Sequence, residues 1–391
     1  MWRILLVAPA VLLAVAWVCV CAQGERLANR RVQVPLPAPT PRALTLHDAA
    51  SVVDLHADSL MWRRDLLAHA SRGHVDLPRL REGGVALQVF AAPTQVPWNA
   101  NFERTEAPGL DAVQVVGLLQ WTPLLWRGPP GRALWMADKL RDFAADSEGG
   151  LRVLETRRDL DRLLERRDKG RRTVGALLAL EGLHAAGEAG ERLEELFAAG
   201  YRMAGITHFF DNPYAGSAHG IDKGGLTEVG RAAVARMEAL GMAVDLAHLA
   251  PRALDDVLAI ATKPVVVSHG GVQGTCPGNR TLSDAHVRAI AKTGGVIGVG
   301  YFDGAVCGTE PRHVADAVRY IVDLVGDEHA ALGSDYDGGT TVGFDTSELQ
   351  VVTQALLDAK LSEASVRKVL GENALRVLRE TLPEGQAPAE E

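Results

Sequence analysis

Cysteine and aromatic side chains are scarce in this chain, with four Cys and 5% Phe, Trp and Tyr among 391 residues. No run of Lys and Arg occurs, and the formal net charge is −8. Phosphate contacts need clustered cations, so this balance argues against a nucleic-acid binder. Beyond the N-terminus no stretch reaches the ~20 apolar residues of a membrane span. No Gly-x-Gly-x-x-Gly turn follows the first apolar run, and no tandem repeat is visible. What remains is ordinary globular composition, 47% hydrophobic and 23% charged, which sets aside disordered and collagen-like chains. Twelve His against four Cys turn attention to imidazole and carboxylate chemistry.

Arg3 precedes an apolar run from Ile4 to Val20, and Val20-Cys21-Ala22 ends it in small residues before Gln23. A charged start, a short apolar middle and a V-x-A exit predict a secretory signal peptide over residues 1–22, cleaved after Ala22. An uncleaved anchor and lipidation at Cys21 are the other readings, though Val20 stands where a lipoprotein needs a small residue. The mature chain is expected to be exported, periplasmic or secreted, with no stable membrane span. Cleavage removes Cys19 and Cys21 and leaves Cys276 and Cys307. In an oxidising compartment that even pair is a disulfide candidate, two separate buried thiols being the alternative.

Residues 23–48 read as an extended, Pro-rich lead-in without apolar period. From Ala49 onward eight short apolar runs alternate with amphipathic stretches. The runs are Val52 to His56, Val85 to Phe90, Val174 to Leu180, Met203 to Thr207, Ala243 to Ala247, Pro264 to Ser268, Gly295 to Gly300 and Ala330 to Gly333. Each is apolar on both faces, as parallel strands covered on both sides must be. Helical spacing marks Leu193 to Ala199, Thr227 to Leu240, Pro251 to Ile260, Asp284 to Ala291 and Arg312 to Val325, with Gly200 and Gly241 as stops. Eight such alternations predict an α/β fold, a (β/α)8 TIM-type barrel over residues 49–380, with a doubly wound open sheet as the runner-up. Residues 381–391 form a polar tail. The segment Pro93 to Glu155 reads as a βα insertion after the second strand with helices of its own, Met136 to Phe143 the clearest. Its aromatics either pack it on the barrel or line a substrate mouth.

The first run ends in His56-Ala57-Asp58 and the third in Glu181. His208, His248, His269 and Asp335 follow the fourth, fifth, sixth and eighth. In a parallel barrel those ends share one face, where active sites are built. His-x-Asp in a strand puts both side chains on one side, and imidazole and carboxylate are ligands for Zn²⁺ or similar ions. His56, Asp58, Glu181, His248 and His269 are too many for one catalytic zinc but suit two ions that share a carboxylate. Such a pair can hold a bridging water, lower its pKa and polarise a carbonyl. Asp335 is then the group that takes and returns a proton.

These residues resemble the membrane dipeptidase (renal dipeptidase) family of zinc peptidases, within the amidohydrolase-type barrels. The likeness lies in Asp54-Leu55-His56-Ala57-Asp58, His74 to Leu80, Leu180-Glu181-Gly182, Ile206-Thr207-His208 with Asn212, and Val244 to His248. It continues through Val266-Val267-Ser268-His269, Asn279-Arg280, Gly333 to Gly338 and Gly371-Glu372-Asn373, from about Ala49 to Leu378.

The resemblance implies a metallo-dipeptidase with two Zn²⁺, His56 and Asp58 on one, His248 and His269 on the other, Glu181 bridging. It implies Asp335 as the acid/base, His208 as the contact to substrate and tetrahedral intermediate, and Arg280 as the binder of the substrate carboxylate. It further implies a Cys276–Cys307 disulfide, tolerance of a D-residue at the C-terminal position, and a homodimer as in many relatives. Val89-Phe90-Ala91-Ala92-Pro93 departs from the family by lacking a Phe-Trp run. Tyr301 in the seventh exit matches no substrate-binding tyrosine clearly. The alternatives are an amidohydrolase for N-acyl amino acids, lactams or lactones, and a catalytically inert metal-binding protein.

Overall fold

A computed structural model describes residues 23–107, 109–122 and 127–385. The expected signal peptide, with Cys19 and Cys21, and the end of the expected tail lie outside the described residues. Eight parallel strands follow the eight apolar runs: β1 (Val52–Ala57), β2 (Val85–Pro93), β3 (Val174–Glu181), β4 (Tyr201–Gly205), β5 (Ala243–Asp245), β6 (Val266–Val272), β7 (Val296–Val299) and β8 (Ala330–Leu332). They pair in sequence order from β1 to β8. A parallel bridge between Ala57 and Tyr336 then brings the exit of β8 back to β1, so the sheet forms a nearly closed TIM barrel. Every residue of β1, β2 and β3 is buried, which explains why these strands read as continuous apolar runs.

The helices start and stop where local chemistry directs them. Thr227 caps the helix Glu228–Leu240 by accepting from the Gly230 N–H, and Gly241 ends it in the left-handed region at φ 82°. That conformation costs glycine nothing. The C-terminal helix Asn373–Thr381 packs Leu375 and Leu378 in one cluster with Val53, Leu87, Leu177 and Val266. Asn373 Nδ2 donates to the Ala330 carbonyl at 2.8 Å, which fixes this helix at the strands' N-terminal ends, away from the site. Among the described residues no helix is long and apolar enough to cross a membrane.

Two segments differ from the expectation. The lead-in is not simply extended: residues 23–28 are helical, Arg30–Arg31 pairs in parallel with Thr341–Val342, and a helix begins at Pro41. Buried Glu25 holds the segment down through Arg64 Nε and Arg72 Nε, both at 2.6 Å. Strand β6 also runs past His269 to Val272, because Gly271 and Val272 pair with Thr281–Leu282.

The insertion carries helices Ala112–Leu119 and Gly128–Asp146, the second of which contains Met136 to Phe143. Its described tryptophans divide: Trp98 and Trp121 are exposed, and Trp135 packs beneath Lys139; Trp126 lies outside the described residues. Among the described residues, Phe102 is the insertion aromatic that reaches the mouth.

Candidate metal centre

The exits of five strands converge on one carboxylate oxygen, and that of a sixth stands beside them. Glu181, the last residue of β3, places Oε1 3.4 Å from His56 Nε2, 3.3 Å from His208 Nε2, 3.2 Å from His248 Nε2 and 3.3 Å from His269 Nε2. Asp58 Oδ1 lies 3.6 Å and Asp335 Oδ1 4.0 Å from His56 Nε2. All seven side chains of this cluster are buried. His248 and Asp335 reach it with φ of 65° and 61°, a left-handed backbone that non-glycine residues adopt at a cost and that clusters at functional sites.

Three groups of ligand atoms lie within 4.8 Å of one another: His56, Glu181 and His269; Glu181, His208 and His248; His56, Asp58 and Asp335. Whether these residues suit a cation can be tested on their own hydrogen bonding. His56 Nε2, Asp58 Oδ1 and Glu181 Oε2 are buried without a hydrogen-bond partner, which is costly for polar atoms removed from water. Separations near 3.3 Å are also the edges of a tetrahedron built on metal–ligand bonds of ~2.0–2.1 Å. The donor set fits divalent ions. His208 stands among the ligand atoms as closely as the five residues expected to hold metal.

The imidazoles are oriented from behind. His219 Nδ1 meets the Phe102 carbonyl at 3.0 Å, and its Nε2 meets His248 Nδ1 at 3.1 Å. A carbonyl only accepts, so His219 carries its proton on Nδ1 and accepts from His248 Nδ1–H. The His248 Nε2 lone pair is thereby turned toward Glu181, the tautomer a metal ligand needs. Burial and the nearby Arg280 hold His219 at about 3, so it stays neutral.

The same burial acts on the whole cluster. It pushes Glu181 up to about 7, aided by Asp58 and opposed by His56. It raises Asp335 well above the usual carboxylate range, where His56 opposes and Asp58 and Glu181 reinforce it. His208, His248 and His269 are held well below the ordinary imidazole value, again by burial first. His56 is the exception: burial lowers it, but the Glu181 and Asp58 carboxylates more than offset that.

A cavity of about 350 Å³ opens onto Asp58, Glu181, His208, His248, Asp335 and Arg280. Its outer wall is apolar and includes Met61, Trp62, Val113 and Phe209. Arg280 is buried, with Nη2 donating to the His269 carbonyl at 2.6 Å and Nε without a partner. Cys276 and Cys307 are joined in a disulfide. Tyr301 is fully buried and packs at 5.5 Å on Tyr336, so it adds nothing to the cavity wall.

The model of membrane dipeptidases (peptidase family M19) matches residues 40–387. The chain belongs to the membrane dipeptidase family. Among its relatives, dipeptidase aclJ of Aspergillus oryzae is 29% identical over 348 residues, 84% of this chain and 77% of that one. A Rhodobacter sphaeroides metallopeptidase, solved with a phosphinate mimic of the dipeptide L-Ala-D-Ala, superposes with a TM-score of 0.71 at 25% identity. It covers 85% of this chain and 99% of that one. The probable dipeptidase PvdM of Pseudomonas aeruginosa shares the fold at a TM-score of 0.73 and 20% identity, covering 88% of this chain and 99% of its own. Membership in the membrane dipeptidase family carries the activity class, a metal-dependent dipeptidase, and acidic and histidine groups stand placed to bind metal.

His219, Ser268 and Asp245 received no role from the sequence. Ser268 and Asp245 sit inside the motifs that carry the resemblance. His219 lies in a loop with no periodic signal, so only the fold reveals it.

Proposed function

We propose that this member is an exported dipeptidase that binds two divalent ions, zinc in the first place, with Glu181 between them. His56 and Asp58 hold one, His248 and His269 the other. One observation carries the reading: a buried guanidinium with an unpartnered Nε shares a 350 Å³ cavity with the ligand cluster and with Asp335. Ions bound there supply water of lowered pKa and a polarised scissile carbonyl. The remaining work falls to the chain itself.

Arg280 receives the C-terminal carboxylate of the substrate, for which a guanidinium fork is suited. A carboxylate fixed one residue beyond the scissile bond restricts substrates to dipeptides. His208, kept neutral by burial, faces the cavity and donates to the oxygen that gains charge at the tetrahedral stage. Asp335, with its raised affinity for a proton, takes one from the attacking water and returns it to the leaving amine. Tolerance of a D-residue at the C-terminal position is supported by the Rhodobacter sphaeroides structure with its L-Ala-D-Ala mimic.

The test is release of free amino acids from L-Ala-L-Ala, L-Ala-D-Ala and an N-acetylated control. The protein is stripped of metal and then reloaded with Zn²⁺. Zinc-dependent cleavage of the free dipeptides alone is the expected result. A zinc-loaded protein that leaves dipeptides intact but opens N-acyl amino acids, lactams or lactones would overturn the proposal.

A further inference from the structure

The hydroxyl of Ser268, on β6 beside His269, has three polar neighbours. It lies 2.6 Å from Asp245 Oδ2, 2.8 Å from His269 Nδ1 and 3.2 Å from His56 Nδ1. A hydroxyl has one proton to give and two lone pairs with which to accept. A carboxylate only accepts, and Asp245 Oδ1 is already taken by the N–H groups of Ser268 at 2.9 Å and Ala247 at 3.0 Å. The Ser268 proton therefore goes to Asp245, and both imidazoles must donate. Each carries a proton on Nδ1 and points Nε2 toward Glu181.

We infer that Ser268, locked by Asp245, is a positioning residue shared by the two metal positions, fixing ring and tautomer of His56 at one and of His269 at the other. The inference rests on the metal reading above. It differs from the role of His219, which orients His248 alone. Ser268 and Asp245 are both buried, so removing the hydroxyl leaves two imidazole N–H donors without an acceptor, which is costly. The rings are then free to turn, or to move the proton to Nε2 where it blocks ligation.

The experiment measures Zn²⁺ binding to the full, metal-stripped chain by competition with a chromophoric chelator, with circular dichroism as the check on folding. Ser268→Ala should weaken both equivalents by about ten- to a hundredfold, the usual effect of losing an outer partner of a ligand. His219→Ala should weaken one equivalent and leave the other unchanged. Asp245→Asn should resemble Ser268→Ala, because an amide cannot accept from Ser268 Oγ and both N–H groups at once. With Co²⁺ as the probe, the visible bands should shift in Ser268→Ala, since they report ligand geometry rather than stability. Two equivalents bound as in the wild type, or a loss confined to one of them, overturns the sharing. If Ser268→Ala does not fold, Asp245→Asn decides by the same criteria. A wild-type chain that takes up no Zn²⁺ overturns the metal reading itself, an outcome separate from wild-type-like variants.

Discussion

The guanidinium of Arg280 is tied to the strand that carries His269: its Nη2 donates to the His269 carbonyl at 2.6 Å while its buried Nε has no partner. The cation is thus anchored through one nitrogen, and the residue lines the cavity that holds the ligand cluster. Arg280→Ala should lower kcat/KM for dipeptides by about 30- to 1000-fold, the ~2–4 kcal/mol expected for a buried charge contact. The loss should fall mainly on KM. Arg280→Lys should recover little, since a point charge cannot replace the fork. Steady-state kinetics on L-Ala-L-Ala and its C-terminal amide checks this: the amide, already poor, should respond little to either change.

Asp335 is expected to act on protons rather than to hold the ions. Asp335→Asn should reduce kcat by about a hundred- to ten-thousandfold while bound metal stays at the wild-type level. Metal analysis alongside turnover separates the two roles. A variant that loses its metal would make Asp335 a ligand instead.

The disulfide lies close to Arg280, the proposed carboxylate binder. Cys276 precedes Arg280 by four residues, and Cys307 ends the turn Asp303–Val306 that begins beside Phe302, whose ring lies 6.0 Å from the Arg280 guanidinium. The crosslink spans 31 residues, so its loss should cost about 3–4 kcal/mol by loop-closure entropy. Urea unfolding of the Cys276→Ser, Cys307→Ser double variant measures that. Its KM should rise more than its kcat falls.

Metal uptake should depend on pH in a direction set by Glu181. Burial holds this carboxyl's proton until about 7 in the metal-free protein, and a ligand must shed its proton to bind. Below pH 7 each unit of acidification should weaken Zn²⁺ binding by about tenfold for this one proton. Above pH 7 the dependence should continue until His56, whose proton the Glu181 and Asp58 carboxylates hold above the ordinary imidazole value, has shed it. Calorimetry in buffers of different ionisation enthalpy counts the protons released, and a pH-independent affinity below 7 would contradict the assignment.

Much of this architecture was legible because parallel strands buried on both faces leave an unmistakable mark. All eight runs became strands, and Gly241 ended its helix where expected. The site was legible because His56, Asp58, Glu181, His208, His248, His269 and Asp335 fall at the same phase of a repeating unit, which the barrel brings to one rim. Pairwise chemistry between distant segments was not. His219 matters because it meets Phe102 across 117 residues and His248 across 29. The lead-in docks because Glu25 finds Arg64 and Arg72, partners no local pattern announces. Ser268 resembles any strand serine until the hydroxyl's three neighbours are counted.

The central claim is a two-ion centre that hydrolyses dipeptides. Its most direct test is a titration of the metal-free chain with Zn²⁺, following L-Ala-D-Ala cleavage and bound metal together. Activity should be absent at the start, rise with added zinc and level off at two equivalents per chain. Full activity without metal, or a plateau at a single equivalent, would contradict it.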